Sequence, residues 1–124
     1  MTPVDRLFTR QGANDSIGSG QSTLQVEMNE TAVILSYMTE NSFLLIDELG
    51  RGTTTHDGCA LAYSILQTIA SKLRPRTIFS THFHKLLEEN EVVNSVQISH
   101  MVGFVLLLCH FNNDDKYLIG YTTL

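Results

Sequence analysis

The chain has 124 residues, of which 43% are hydrophobic and 17% charged, so it is one globular domain at most and not a disordered segment. Its formal net charge of −5, with only 8 scattered Lys and Arg residues, argues against this segment binding a DNA backbone by itself, because that calls for clustered basic side chains. Its two cysteines cannot form a disulfide framework, no apolar run reaches the roughly 18 residues of a membrane span, and no secretory signal is evident.

The first half of the chain predicts alternating strands and helices. Polar and apolar residues alternate over Arg6–Arg10, which predicts a short strand, and the stretch over 11–21, rich in Gly, Ser, Asn and Asp, predicts a loop. Apolar residues recur at helical spacing from residue 22 or 23 to about 39, and a hydroxyl side chain at the start suits an N-cap. An uninterrupted apolar run then predicts a buried strand at roughly Ser42–Asp47.

The second half continues this alternation. Asp57 and Gly58 open a second predicted helix, which ends with Lys72 and Arg74 before Pro75. Because strands and helices alternate, the expected fold class is α/β with a parallel sheet. The remaining predicted elements are a strand over Thr77–His82, a brief helix over His84–Asn90, and strands over Ser95–Met101 and Phe104–Phe111.

Two adjacent carboxylates, Asp47 and Glu48, end the predicted strand over 42–47, and a loop rich in Gly and Thr follows over 50–58. Buried strands of a parallel sheet deliver such acids to the carboxyl edge of the sheet, where nucleotide phosphates and Mg²⁺ bind. One carboxylate can orient a hydrated metal ion, and the other can position or deprotonate an attacking water. The pattern is typical of a Walker B strand, although a strand that merely ends in a solvated turn has the same short sequence.

The segment from Asp47 to Gly58 resembles the MutS family of DNA mismatch-repair ATPases. It matches without a break the family pattern DE-[ILF]-G-[RK]-G-T-x-T-x-[DE]-G. The resemblance implies a P-loop NTPase domain of the ABC-like class, with ATP and Mg²⁺ as cofactors. It further implies that Asp47 holds Mg²⁺, usually through water, and that Glu48 is the general base that acts on the hydrolytic water.

A second loop, Ser19-Gly20-Gln21-Ser22-Thr23, resembles the S-G-x-S-T loop with which this family faces the nucleotide of the partner subunit. The resemblance implies that Ser19, Gly20 and Ser22 bind nucleotide, with Ser22 as a contact to the γ-phosphate in trans. A hydroxyl and backbone N–H groups at a helix start do form an anion site. The alternative is that Ser22 is simply the N-cap of the following helix, and both roles can hold at once.

His82 follows a predicted strand, and Thr81-His82-Phe83-His84 resembles the T-H-[YF]-x-x-L element of the same family. The resemblance implies that His82 senses the γ-phosphate, to which a neutral imidazole can donate a hydrogen bond. Alternatively, a histidine at a strand end is hydrogen-bonded only to a neighbour. His82 and His84 lack a third ligand, so zinc is discounted.

The sequence contains no G-x-x-x-x-G-K-[ST] loop, which cradles phosphates in this class of protein. The resemblance covers roughly residues 5–101. We therefore assign 1–103 to a partial MutS-type ATPase domain that lacks the Walker A half, and 104–124 to a divergent tail with room for one further strand. The isolated chain is expected to show little or no hydrolysis, because positioning supplies most of phosphoryl-transfer catalysis.

Three segments, Asp5–Arg10, Arg76–His82 and Ser99–Met101, are most similar to the eukaryotic MutS homologue six type within the family. The resemblance implies that the complete protein binds mismatched double-stranded DNA through domains absent here and uses ATP to switch conformation. It also implies a MutS-family partner subunit in a heterodimer, a nuclear location and no membrane. Two alternatives are another ABC-type ATPase, against which the spacing from Gly50 to Gly58 argues, and a non-catalytic interaction module or inactive truncated product.

Overall fold

The computed structural model describes residues 3–11, 22–88, 97–101 and 104–109. Within these ranges the strands form one sheet in the order β1-β2-β3-β5-β4. The elements are β1 (Leu7–Arg10), α1 (Thr23–Tyr37), β2 (Phe43–Asp47), α2 (Thr55–Ser71), β3 (Arg76–Thr81), a 3₁₀ turn (His84–Leu87), β4 (Gln97–Met101) and β5 (Phe104–Cys109).

The first three strands are parallel, which confirms the predicted α/β architecture for this part of the chain. β2 pairs with β1 on one side and with β3 on the other. The registers align Arg10 with Ile46, and Asp47 with Ser80. All three strands therefore end at the same edge of the sheet, where Asp47 emerges.

The prediction of a parallel sheet is wrong for the last two strands. β5 runs antiparallel to β3 and also to β4, so the sheet is mixed. Only two residues separate Met101 from Phe104. A parallel connection needs a crossover of a dozen or more residues. A link of this length can therefore join only antiparallel strands.

The core lies between the helices and one face of the sheet. Leu44, Ile46 and Phe79 point into it and are almost fully buried, as are Leu66 and Ile69 of α2. Alternate residues of the strands, such as Leu45 and Ile78, lie on the opposite face and are only partly buried. The buried face fixes β2 and β3 against the helices, and this places the residues at the strand ends.

The second helix begins two residues before the predicted start at Asp57. Thr54 is its N-cap, and the Thr54 hydroxyl accepts a hydrogen bond from the Asp57 N–H at 3.2 Å. The same hydroxyl donates to Asp57 Oδ2 at 2.9 Å, so Asp57 supports the cap from inside the first turn. The predicted helix over 84–90 is a single 3₁₀ turn that ends at Leu87.

Asp5 ties the segment before β1 to the segment before β2. Its Oδ2 accepts a hydrogen bond from the Thr39 hydroxyl at 2.5 Å, and its Oδ1 accepts one from the Ser42 hydroxyl at 3.3 Å. The bond from Thr39 is the main reason that the pKa of Asp5 lies below 3.8, its ordinary value. Because the folded pKa is the lower one, the carboxylate contributes stability above pH 3.8, and this contribution is lost as the pH falls through the folded pKa.

We therefore expect Asp5→Asn to lower the free energy of unfolding at pH 7 but to have little effect at the acid end of the titration. Urea unfolding of the 124-residue chain between pH 7 and pH 2 measures the difference. Thr39→Val, which removes the main hydrogen bond but keeps the carboxylate, should reproduce most of the loss. A difference between wild type and Asp5→Asn that did not change with pH would contradict this explanation.

Candidate active site

A cavity of about 910 Å³ opens at the carboxyl ends of β1, β2 and β3. Its lining includes both predicted acids, Asp47 and Glu48, together with Thr23 at the start of α1. Arg51 and Ser80 also line it. The parallel strands thus bring Asp47, Glu48 and the first residue of α1 to one cavity, which we call the site cavity.

Asp47 is the last residue of β2, and its side chain is exposed to the site cavity. Its partner in the β2–β3 register is Ser80, whose hydroxyl donates a hydrogen bond to Asp47 Oδ1. This bond orients the carboxylate and leaves its second oxygen without a hydrogen bond from the described residues. One or two carboxylates that leave room for water and phosphate oxygens are the donor set that Mg²⁺ prefers, so Asp47 fits the metal ligand implied by its sequence.

Glu48 adopts a left-handed backbone conformation with φ of 49°. Its N–H donates to the Ser80 carbonyl oxygen at 3.1 Å, so the chain turns directly after the last contact between β2 and β3. Adjacent strand residues normally point to opposite faces. The turn at Glu48 explains why both acids line the same cavity, and non-glycine residues in this conformation occur preferentially at functional sites because it is strained.

Arg51 makes an ion pair with Glu48, and Arg51 Nη1 lies 2.5 Å from Glu48 Oε2. The Glu48 side chain is only 14% exposed, whereas that of Arg51 is 72% exposed. Exposed pairs contribute little stability, so Arg51 can leave without a large loss of free energy. Release of Arg51 would free Glu48 Oε2 to accept a hydrogen bond from another group.

Gly50 and Gly58 bring the start of this loop against the start of α2. Gly50 has φ of 90°, and a Cβ added there would lie 2.4 Å from the Gly58 carbonyl oxygen. A Cβ added at Gly58 would lie 2.2 Å from the Gly50 carbonyl oxygen. Both positions therefore require glycine, and we call this approach the glycine contact.

A buried ion pair between the end of β1 and α1 also holds the loop that follows β2. Arg10 Nη2 lies 3.2 Å from Glu27 Oε1, and the two side chains are only 3% and 2% exposed. Glu27 Oε1 also accepts a hydrogen bond from the Gly50 N–H at 3.0 Å. Neither Arg10 nor Glu27 was predicted from the sequence as a residue of the site. The available signal was a charged residue at a strand end and another on the buried face of a helix.

The serines predicted to contact nucleotide have different positions. Ser19 and Gly20 lie outside the described residues. Ser22 is the exposed N-cap of α1, where its hydroxyl accepts a hydrogen bond from the Gln25 N–H at 3.1 Å. The N-cap alternative is therefore observed, and Thr23 rather than Ser22 lines the site cavity.

His82 follows β3, which lies beside β2 as the predicted position requires. Its ring centroid is 4.1 Å from that of Phe83. The two rings line a second, largely apolar pocket that also includes Cys59 and Tyr63. His82 is thus not among the residues that line the site cavity with Asp47 and Glu48.

Two kinds of feature are absent from the parts of the chain that the structure describes. There, no three His, Cys, Asp or Glu side chains are grouped so that they could hold a metal ion by themselves. Within the same ranges, no helix is both long and apolar enough to cross a membrane.

The chain is similar to known DNA mismatch repair proteins. The profile of MutS domain V matches residues 1–112. The chain is 49% identical to DNA mismatch repair protein Msh6 from Homo sapiens over 121 residues, which are 98% of this chain and 9% of that protein. For Msh6 from Gallus gallus the identity is 49% over 105 residues, 85% of this chain and 8% of that protein.

A bacterial protein is also similar. DNA mismatch repair protein MutS from Chlorobaculum tepidum is 56% identical over 85 residues, 68% of this chain and 10% of that protein. The chain therefore spans only 8 to 10% of the length of these three relatives. Because the domain V profile covers most of its 124 residues, and because Asp47 and Glu48 lie at the carboxyl edge of its parallel strands, the chain belongs to the MutS family.

Proposed function

We propose that this chain is part of a DNA mismatch-repair protein that binds mismatched double-stranded DNA and uses ATP binding and hydrolysis to switch conformation. The observation that carries the proposal is the common position of Asp47 and Glu48 in one cavity of a MutS domain V. DNA is bound by other parts of the protein, because this segment has a net charge of −5.

Asp47 is the proposed magnesium ligand. The Ser80 hydroxyl holds one carboxylate oxygen, and the other, which accepts no hydrogen bond from the described residues, can bind the metal directly or through water. When bound beside ATP, Mg²⁺ neutralises charge on the phosphate oxygens. Of the described residues, Asp47 is the one we propose as a ligand of the metal.

Glu48 is the proposed general base. The proposal is supported by its place in the lining of the site cavity and by its left-handed backbone, and its carboxylate can accept a proton from water when Arg51 moves away. His82 is the proposed sensor of the γ-phosphate. It directly follows β3, the strand next to β2, and so lies at the same end of the parallel strands as Asp47.

The proposed partner is a second MutS-family subunit in a heterodimer, and the proposed location is the nucleus, both following the eukaryotic Msh6 relatives.

Residues 1–103 are proposed to be the ATPase part, and 104–124 a divergent tail. We propose that Ser19, Gly20 and Ser22 face the nucleotide held by the partner subunit.

The role of Ser22 can be separated from its capping. Ser22→Ala removes the N-cap and should lower the free energy of unfolding by about 1 kcal/mol, whereas Ser22→Asn keeps a good cap. If Ser22 contacts phosphate in trans, both variants should reduce ATP hydrolysis by the complete protein with its partner subunit. Urea unfolding and steady-state hydrolysis measure the two effects, and a Ser22→Asn variant with parental hydrolysis would leave Ser22 as a cap only.

The function is tested in a MutS chimera, which is the Chlorobaculum tepidum relative with its matched segment replaced by the 85 residues of this chain that align with it. The chimera is expressed in a strain of that bacterium without its own copy of the gene, and the spontaneous mutation rate is measured. We expect the rate to fall to the level given by the parental protein. A folded, expressed chimera that left the rate at the level of the deletion strain would contradict the proposal and favour a non-catalytic module.

A further inference from the structure

We propose that Glu27 is a positioning residue for the hydrolytic step, held by Arg10 and acting on Glu48 through the backbone of Gly50. The inference rests on the proposed function, because it assigns a further residue to the same reaction. It comes from two contacts that join the end of β1, the second turn of α1 and the loop after β2.

One oxygen atom makes the connection. Glu27 Oε1 lies 3.2 Å from Arg10 Nη2 and accepts the Gly50 N–H at 3.0 Å. Hydrogen bonds between a backbone N–H and a charged acceptor are stronger than neutral ones, and burial strengthens them further. The Arg10 guanidinium therefore fixes the carboxylate, and the carboxylate fixes the amide of Gly50.

The position of Gly50 determines where Glu48 can point. Glu48 and Gly50 are two residues apart, and both have positive φ values, 49° and 90°. The Glu48 N–H is held by Ser80 on one side, while Gly50 is held by Glu27 and by the glycine contact on the other. Glu48 thus lies between two fixed backbone points, and loss of the Glu27 contact would release one of them.

Because Arg10 and Glu27 are buried, stability alone is a poor explanation for the presence of their two charges. Replacing a buried ion pair with apolar residues is often neutral or stabilising, so the charges of Arg10 and Glu27 are not needed merely to fill the interior. Here Glu27 Oε1 also accepts the N–H of Gly50, which lies in the chain between Glu48 and Arg51, two residues that line the site cavity. A preorganised loop is what a general base requires, because small displacements of a reacting group slow the chemical step strongly.

The chain offers a matched control for this contact. Arg10 also pairs with Glu30, at 3.0 Å from Arg10 Nε to Glu30 Oε2, but Glu30 is 54% exposed. None of the hydrogen bonds described for the loop after β2 involves Glu30. Glu30→Gln therefore removes a carboxylate from the same arginine without releasing Gly50.

The test compares Glu27→Asp, Glu27→Gln and Glu30→Gln in the MutS chimera. Aspartate keeps the charge beside Arg10 but is shorter by about 1.5 Å, so it should not reach the Gly50 N–H. We expect Glu27→Asp to lower kcat for ATP hydrolysis roughly 10- to 100-fold with KM for ATP unchanged, and Glu30→Gln to leave both unchanged. Glu27→Gln should give an intermediate loss of kcat, since its amide oxygen can still accept the bond.

A spectroscopic measurement keeps the proposal testable if a variant of the chimera fails to fold. In the 124-residue chain, hydrogen exchange at the Gly50 amide should be faster in Glu27→Asp than in wild type and unchanged in Glu30→Gln. A folded Glu27→Asp chimera with parental kcat, or an unchanged Gly50 exchange rate, would overturn the positioning role. Failure of the proposed function is distinguishable, because the chimera without any of these substitutions would then hydrolyse ATP no faster than its Glu48→Gln variant.

Discussion

We expect Glu48→Gln to abolish ATP hydrolysis in the MutS chimera while ATP binding is retained. The amide is nearly isosteric with the carboxylate but cannot accept a proton from water, and loss of a general base costs about 10²- to 10⁴-fold in rate. The side chain is only 14% exposed and lies on the site cavity, so its removal should have no direct effect on distant parts of the fold. Steady-state hydrolysis and equilibrium ATP binding measure the two properties separately.

Glu40→Gln is the control for this experiment, because Glu40 is an exposed glutamate in the turn before β2 and far along the strand from the site cavity. It should hydrolyse ATP at the parental rate. Unchanged turnover in Glu48→Gln would remove Glu48 as the base. Loss of both binding and hydrolysis would indicate that the substitution disturbs the loop rather than the proton transfer.

The second large effect is expected at the glycine contact. In Gly50→Ala the new Cβ would meet the Gly58 carbonyl oxygen at 2.4 Å and the Gly58 Cα at 2.8 Å, and the backbone φ of 90° is unfavourable for alanine. Because backbone atoms cannot move aside as a side-chain end can, we expect a loss of roughly 2 to 5 kcal/mol in the free energy of unfolding. Urea unfolding of the 124-residue chain measures it.

A neighbouring glycine provides the comparison. At Gly52 an added Cβ would have its nearest contact at 3.1 Å, with the Leu24 N, and φ lies outside the left-handed region. Gly52→Ala should therefore destabilise the chain clearly less than Gly50→Ala. Equal stability of Gly50→Ala and wild type would mean that the loop after β2 does not pack against α2 as described.

The sequence predicted those features that depend on local pattern. An apolar run followed by two acids placed the end of β2 at Asp47, and the structure confirms it. Helical spacing and a hydroxyl N-cap placed the start of α1 at Ser22 or Thr23, and the helix does begin at Thr23. Such features are determined within one turn or one strand, so neighbouring residues carry the information.

Long-range pairing was less predictable. Hydrophobic periodicity shows which face of an element is buried, but not which partner it meets. The Arg10–Glu27 ion pair joins residues 17 positions apart in sequence, and no local pattern links them. The antiparallel pairing of β5 with β3 depends on tertiary contacts for the same reason. The motif around His82 likewise did not show that its ring packs against Phe83 and lines the second pocket rather than the site cavity.

The turn at Glu48 is an intermediate case. Its sequence motif identified the residue, but strand alternation alone would have directed Asp47 and Glu48 to opposite faces. The left-handed φ that brings both onto one cavity requires the supports around it, from Ser80 on one side and Gly50 on the other.

The most direct test of the ATPase assignment is steady-state ATP hydrolysis by the MutS chimera with Mg²⁺, with the parental Chlorobaculum tepidum protein measured in parallel. We predict hydrolysis comparable to that of the parent, because this chain supplies Asp47 and Glu48 on the same cavity. A folded chimera that binds ATP but hydrolyses it no faster than its Glu48→Gln variant would contradict the assignment.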